Sequence, residues 1–148
     1  MNRKIVCLAL LVLLLVTNTA LAASWTQVGR TNKDDPTNMS GAAYSEYIDK
    51  ASVRKDGDRL IYWHKLEYDK INEDSGEATL TKLEVLLSAR KTRDLETIDY
   101  DGHGVEKKRY SEPTHWVPYQ KGSQFEKKIQ VALKYAKEGK DAGPAPKL

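Results

Sequence analysis

The sequence predicts an α+β domain: a mostly antiparallel β-sheet of about six strands with one C-terminal amphipathic helix packed on it. Three observations predict it. The first is Arg59-Leu-Ile-Tyr-Trp-His-Lys-Leu-Glu-Tyr68, a run crowded with aromatic and branched side chains. Read at period two, Leu60, Tyr62, His64, Leu66 and Tyr68 share one face, which is largely apolar along its length. Ile61 and Trp63 share the other face with Lys65 and Glu67, so that face is apolar only in its first half. This is a long central strand with one face mostly buried. The second observation is a set of other alternating runs separated by turn dipeptides such as Asp56-Gly57 and Asp101-Gly102. The third is a single apolar stripe at helical spacing near the end of the chain.

Taken in order, Ser24 to Gly29 alternates and forms a first strand anchored by Trp25 and Val28. Thr31 to Gly41 is a polar loop around Asp34-Asp35-Pro36. Ala43 to Asp49 is a second strand, and Lys50 to Arg54 is a short connection with room for one helical turn. Lys55 to Asp58 turns the chain into the central strand, and Asp69 to Ala78 is a loop. In Thr79 to Ala89, Thr81, Leu83, Val85 and Leu87 fall on one face, and Lys82, Glu84 and Ser88 on the other. Arg90 to Asp94 breaks the pattern as a hairpin end. Leu95 to Tyr100 resumes it, and Val105 to Tyr110 returns as a charged edge strand, protected from stray pairing by Lys107-Lys108-Arg109. Ser123 followed by Glu126 is a capping box. Behind it Phe125, Ile129, Ala132, Leu133 and Ala136 make the stripe that faces the sheet, and Gly139 is the expected stop. Residues 140–148, with two prolines and a glycine, are expected to fray.

The ends set the compartment. Asn2-Arg3-Lys4, the apolar run Ile5 to Val16 and Ala20-Leu21-Ala22 are the three parts of a secretory signal peptide, so residues 1–22 are an address cleaved after Ala22. An apolar run of 12 residues is too short to span a bilayer, which takes roughly 20. Cys7 is the one cysteine and lies inside the leader, whereas a lipobox cysteine follows the apolar run, so no lipid anchor is expected. The expected organisation is a leader at 1–22, a single domain at 23–139 and a tail at 140–148, with no transmembrane segment after cleavage. The domain then stands on its core without a disulfide. Losing Arg3 and Lys4 takes the 24 basic residues to 22 against 21 acidic ones, a balance that argues against nucleic acid as a partner.

Chemistry-bearing patterns are sparse. His64, His103 and His115 match no metal-ligand spacing, and no cysteine joins them. There is no G-x-S-x-G, no phosphate-cradling glycine loop and no H-E-x-x-H. Asp99 and Asp101 are two apart on a strand, but they read as the frame of a hairpin turn rather than a paired-carboxylate site. No catalytic, metal or cofactor-binding residue is assigned, and the chain reads as non-catalytic. Two basic clusters remain: Arg90, Lys91 and Arg93, and Lys107, Lys108 and Arg109. Were the fold to bring them together, they would make one positive face near the Asp101-Gly102 hairpin, suited to acidic proteins, glycosaminoglycans or anionic headgroups. Tyr44, Tyr62, Tyr68 and Tyr110 would add flat amphipathic area. The plainer reading is charge that keeps an edge strand soluble and tyrosines that pack the core.

The landmarks in sequence resemble one known family. Trp25 soon after the leader, Val28-Gly29, Tyr47-Ile48-Asp49 and a small-residue bend ending at Val53 come first. Trp63-His64-Lys65, the charged segment 90–93, Tyr100-Asp101-Gly102, Trp116-Val-Pro118 and Gly122-Ser123 follow. Together they resemble the surface-adhesin protein E-like domain of Gram-negative bacteria. The resemblance implies one antiparallel sheet with a helix against it. It also implies an exported binding module whose partner is a protein, either of the host extracellular matrix or of the bacterial envelope. The corresponding settings are the cell surface, the secreted pool or the periplasm. Many members pair a cysteine at the position of Leu87 with one near the end of the closing helix. Here apolar packing is expected in place of that bridge.

Overall fold

The computed structural model describes residues 22–36, 38, 40–69 and 77–148. The leader, Ala22 apart, and most of the loop expected after Tyr68 lie outside the described residues. Among the described residues, nine strands form one sheet. They are β1 (Trp25–Thr31), β2 (Tyr44–Asp49), β3 (Arg54–Asp56), β4 (Arg59–Tyr68), β5 (Ala78–Leu86), β6 (Lys91–Tyr100), β7 (Glu106–Tyr110), β8 (Val117–Pro118) and β9 (Lys137–Glu138), with helix α1 (Gln124–Leu133) between β8 and β9. The main path is β1-β2-β4-β5-β6-β7, antiparallel throughout. The expected six-strand antiparallel sheet with one helix is therefore the fold. β4 has the predicted bounds and lies mid-sheet, paired with β2 on one side and β5 on the other.

Three short strands escaped the sequence because two or three residues cannot display a period. β3 and β4 form a tight hairpin in which Asp56 faces Arg59. Gly57 takes a φ of 58° there, a left-handed value that a side chain at that turn would resist. β8 pairs with the start of β6 at Lys91 and Thr92. β9 runs parallel to β3. That pairing shortens the helix, which ends at Leu133 rather than near Gly139. The Lys137 amide donates to Val53 O at 3.2 Å and the Gly139 amide to Lys55 O at 3.2 Å, so the chain is drawn off the helical path onto the β3 edge.

The N-terminus of α1 is capped much as the sequence suggests. Ser123 Oγ accepts the Glu126 amide at 3.2 Å. The return bond differs by one residue, because Glu126 Oε2 accepts the amide of Gly122, not of Ser123, at 2.6 Å. Ile129 and Ala132 of the predicted stripe are buried against Ile48, Leu60, Tyr62, Leu83 and Val85. Leu87, Leu133 and Ala136 pack onto the same cluster, which is the apolar contact expected in place of a disulfide.

The opposite face carries a second cluster of Ile61, Trp63, Leu80 and Ile98, closed by Ala142. Residues 140–148, expected to fray, instead lie on this face, and β4 is buried on both sides along its first half. The small side chains of Ala142 and Ala145 fit flat against the aromatic surface, and hydrogen bonds from the sheet fix the segment's backbone.

Candidate interaction surface

With both central faces covered, the sheet offers its two outer borders, along β1 and along the β6 side, and the large exposed apolar side chains gather on the second. From Glu106 to Pro118 the chain runs back along the full length of β6. β7 pairs with Thr97 to Tyr100 and β8 with Lys91 and Thr92. Between them the Thr114 amide donates to Asp94 O, and Thr114 Oγ1 accepts the Asp94 amide, each at 2.9 Å. All five residues of β7 are exposed. No strand among the described residues pairs with its outer side. Among the described residues five large apolar side chains stand out as exposed, and three of them lie on or beside this border: Val105, Tyr110 and Val117.

The hairpin that starts the border is held by Asp101. Its Oδ1 accepts the amides of His103 and Val105, each at 2.9 Å. The Val105 bond above all holds the carboxyl below its usual range, and the residue is committed to the turn. Asp99 accepts the Thr79 hydroxyl at 2.9 Å. His64 lies on β4 with Nε2 3.4 Å from Glu46 Oε2, while His103 is in the hairpin and His115 is exposed ahead of β8. No group of metal-ligating side chains forms among the described residues.

The structure does not bring the two basic clusters together. Lys91 faces Leu86 and Pro118 at one end of β6, whereas Lys108 faces Asp99 near the other. Eight residues of strand separate the two positions, about 26 Å. That is more than twice the Debye length of ~8 Å at physiological salt, so the clusters do not act as one field. Arg93 is turned inward. Its Nε lies 2.6 Å from Glu84 Oε2 and its guanidinium is stacked 4.4 Å from the Trp116 ring. Arg109 is tied to Glu96 and, at 2.7 Å, to Glu106. Lys107 lies 3.6 Å from Glu77, and Lys108 lies 4.5 Å from the centre of the Tyr110 ring. Arg90 and Lys91 are exposed beside β8, where Arg90 O accepts the Tyr119 amide at 2.9 Å. Of the four tyrosines, Tyr62 is 1% exposed and belongs to the core, and Tyr44 and Tyr68 meet edge to face at 5.6 Å. Only Tyr110 is on the border.

Lys107 and Lys108 also line a cleft of about 650 Å³ with Tyr68, Glu77, Asp99 and Tyr100. Asp69 lines it too, so three carboxylates face the two lysines there and the border is mixed in charge. The sequence could not show Val117 as part of the same surface as Val105 and Tyr110, because β8 is invisible to periodicity. The signal that could have found it is the apolar Trp116-Val-Pro118 set in an otherwise polar stretch.

A protein-family model described as Surface-adhesin protein E matches residues 25–132. No curated protein and no solved structure matches the chain. The family match takes in well over half of the sequence, and the chain belongs to the surface-adhesin protein E family. Membership gives it a surface-adhesin-like function in general and points to an exported, surface-directed setting. No described helix is long and apolar enough to cross a membrane.

Proposed function

We propose that this member of the surface-adhesin protein E family is an exported, non-catalytic module that binds another protein along the border from Val105 to Pro118. One observation carries the reading. Val105, Tyr110 and Val117 stand exposed on a sheet edge that no described strand pairs, with Lys107 and Lys108 among them. An open edge offers backbone donors and acceptors to an added strand, and spaced apolar side chains give that strand its register. Tyrosine supplies contact area at low entropic cost. The partner is a host extracellular matrix protein, met at the cell surface.

The test is a pull-down with purified residues 23–148 from host-matrix and bacterial-envelope extracts, at low and high salt. Retention of a matrix protein by the wild type, with loss in a K107E/K108E double variant, is the expected result. Because only two exposed lysines contribute, raising salt should weaken binding severalfold rather than abolish it. An envelope protein retained equally at both salts would instead identify a periplasmic docking factor. Nothing retained from either extract, or turnover of any substrate by the pure protein, would overturn the module reading.

A further inference from the structure

We propose that the cleft where the ends of β4, β5, β6 and β7 meet residues 40–42 binds a short neutral oligosaccharide. Its volume of about 650 Å³ lies within the range of small-ligand clefts, roughly 300–1,000 Å³. Charge narrows the choice of ligand. Asp69 is already answered, because Arg30 Nη1 and Nη2 donate to its two oxygens at 3.0 and 2.6 Å. Glu77 lies 3.6 Å from Lys107. Two of the three carboxylates are therefore matched by cations, and Lys108 balances the third, Asp99. A lining whose charges balance exerts no net pull on a polyanion or a polycation. It suits a ligand that is polar without being charged.

Asp99 and Lys108 supply the polar contacts. They face each other in the β6–β7 register, yet they form no ion pair with one another. The Lys108 ammonium lies over the Tyr110 ring instead. On the other side Thr79 faces Asp99, and its hydroxyl donates to Asp99 Oδ1 at 2.9 Å. Asp99 is thus oriented through one oxygen and keeps the other as an acceptor, beside an ammonium with three donors. A hydroxyl both donates and accepts, so neighbouring hydroxyls of one sugar ring can meet both groups. Tyr68 and Tyr100 line the same cleft. A phenol ring is apolar on its face and polar at its tip. It packs on the C–H face of a pyranose without requiring charge, and Tyr44 steadies the Tyr68 ring edge to face. The rim is fixed in advance. Asn38 Nδ2 donates to Asn32 O at 2.9 Å and to Ala42 O at 2.8 Å, so little ordering is left for the ligand to impose.

The experiment is an amide NMR titration of folded residues 23–148 with three probes at millimolar concentration. They are N-acetyllactosamine, a unit of host glycans; chitotriose, built of an N-acetyl amino sugar that bacterial cell walls contain; and a sulfated heparin disaccharide. The expected result is saturable shifts centred on Thr79, Asp99, Tyr100 and Lys108 with at least one neutral sugar, and which sugar gives them separates the two sources. D99N keeps the shape of the site and should weaken that binding about tenfold. Y68L removes the phenol, keeps an apolar side chain and should weaken binding by a similar factor. The unfolding temperature is read for each variant, and if one fails to fold the other decides. No shifts with either neutral sugar, shifts centred elsewhere, tighter binding of the heparin disaccharide at this cleft, or unchanged affinity in a folded D99N or Y68L would each overturn the proposal. Asp99 and Tyr68 lie off the border from Val105 to Pro118, so this idea and protein capture along that border can fail separately.

Discussion

Glu46 shows how one residue type at one place sets its neighbours. It is a carboxylate 7% exposed on β2, on the helix side of the sheet. Burial alone would push its pKa up. Hydrogen bonds from His64 and from Lys128, whose Nζ lies 2.6 and 2.5 Å from the two oxygens, outweigh that and hold it down at about 2. Lys128 is on α1, so this contact ties helix to sheet across 82 positions of sequence. The strand beside Glu46 makes way for it. Gly29 faces Glu46 across the β1–β2 pairing, and a Cβ there would stand 3.1 Å from Glu46 Oε1 and 3.4 Å from Lys128 Cε. G29V therefore sets a β-propensity gain of at most ~1 kcal/mol against disruption of a buried ion pair, which costs about 3 kcal/mol or more. A net loss of about 2 kcal/mol is expected by urea denaturation. A neutral or stabilising G29V would show that the carboxylate has another place to go.

At the scale of elements, α1 is short, and its hold on the sheet depends on its first turn. S123A removes the acceptor for the Glu126 amide and should cost about 1 kcal/mol. The loss should fall on the amides of residues 124–128, where hydrogen exchange would report it. Unchanged exchange there would mean that packing alone sets the helix start. Elements with a repeating pattern were legible in the sequence. β4, β5, the β6–β7 hairpin and the helical stripe each carry several residues at one period and are present, but β5 ends at Leu86, β6 begins at Lys91 within the stretch expected as a hairpin end, and the helix stops at Leu133. What was not legible depends on partners far along the chain. β9 exists because β3 offers it an edge 83 residues earlier, and β8 exists because β6 is longer than β7 can cover. The basic residues mislead for the same reason. Arg93 reads as a surface charge until register sets it opposite Glu84. The tail reads as disordered because prolines and a glycine hide the few alanines and carbonyls that seat it.

For the molecule as a whole, these ion pairs set a pH limit. Glu84 is 3% exposed. Burial pushes its carboxyl up, but Arg59 and Arg93 together bring it below its usual range. Glu46 is held at about 2, against 4.5 for a free glutamate. A carboxyl whose pKa is lower in the folded state than in the unfolded chain stabilises the fold above the unfolded value. That stabilisation is lost as pH falls through the folded value. The stability curve should therefore be level above about pH 5 and fall between pH 4.5 and 2, by on the order of 2–3 kcal/mol for Glu46. E46Q should flatten that limb while lowering stability at neutral pH. An acid limb identical in E46Q and wild type would place the sensitivity elsewhere.

The position of the segment after β9 has a consequence for how the molecule is made. Synthesis and export deliver a chain in order from its first residue. Ile61, Trp63, Leu80 and Ile98 are delivered well before Ala142 and the residues around it. Until those arrive, the sheet has a closed side and an open apolar one, and β3 lacks its parallel neighbour. The domain therefore reaches its final form only when its last stretch has crossed, and a chaperone that shields apolar surface would find its target in that interval.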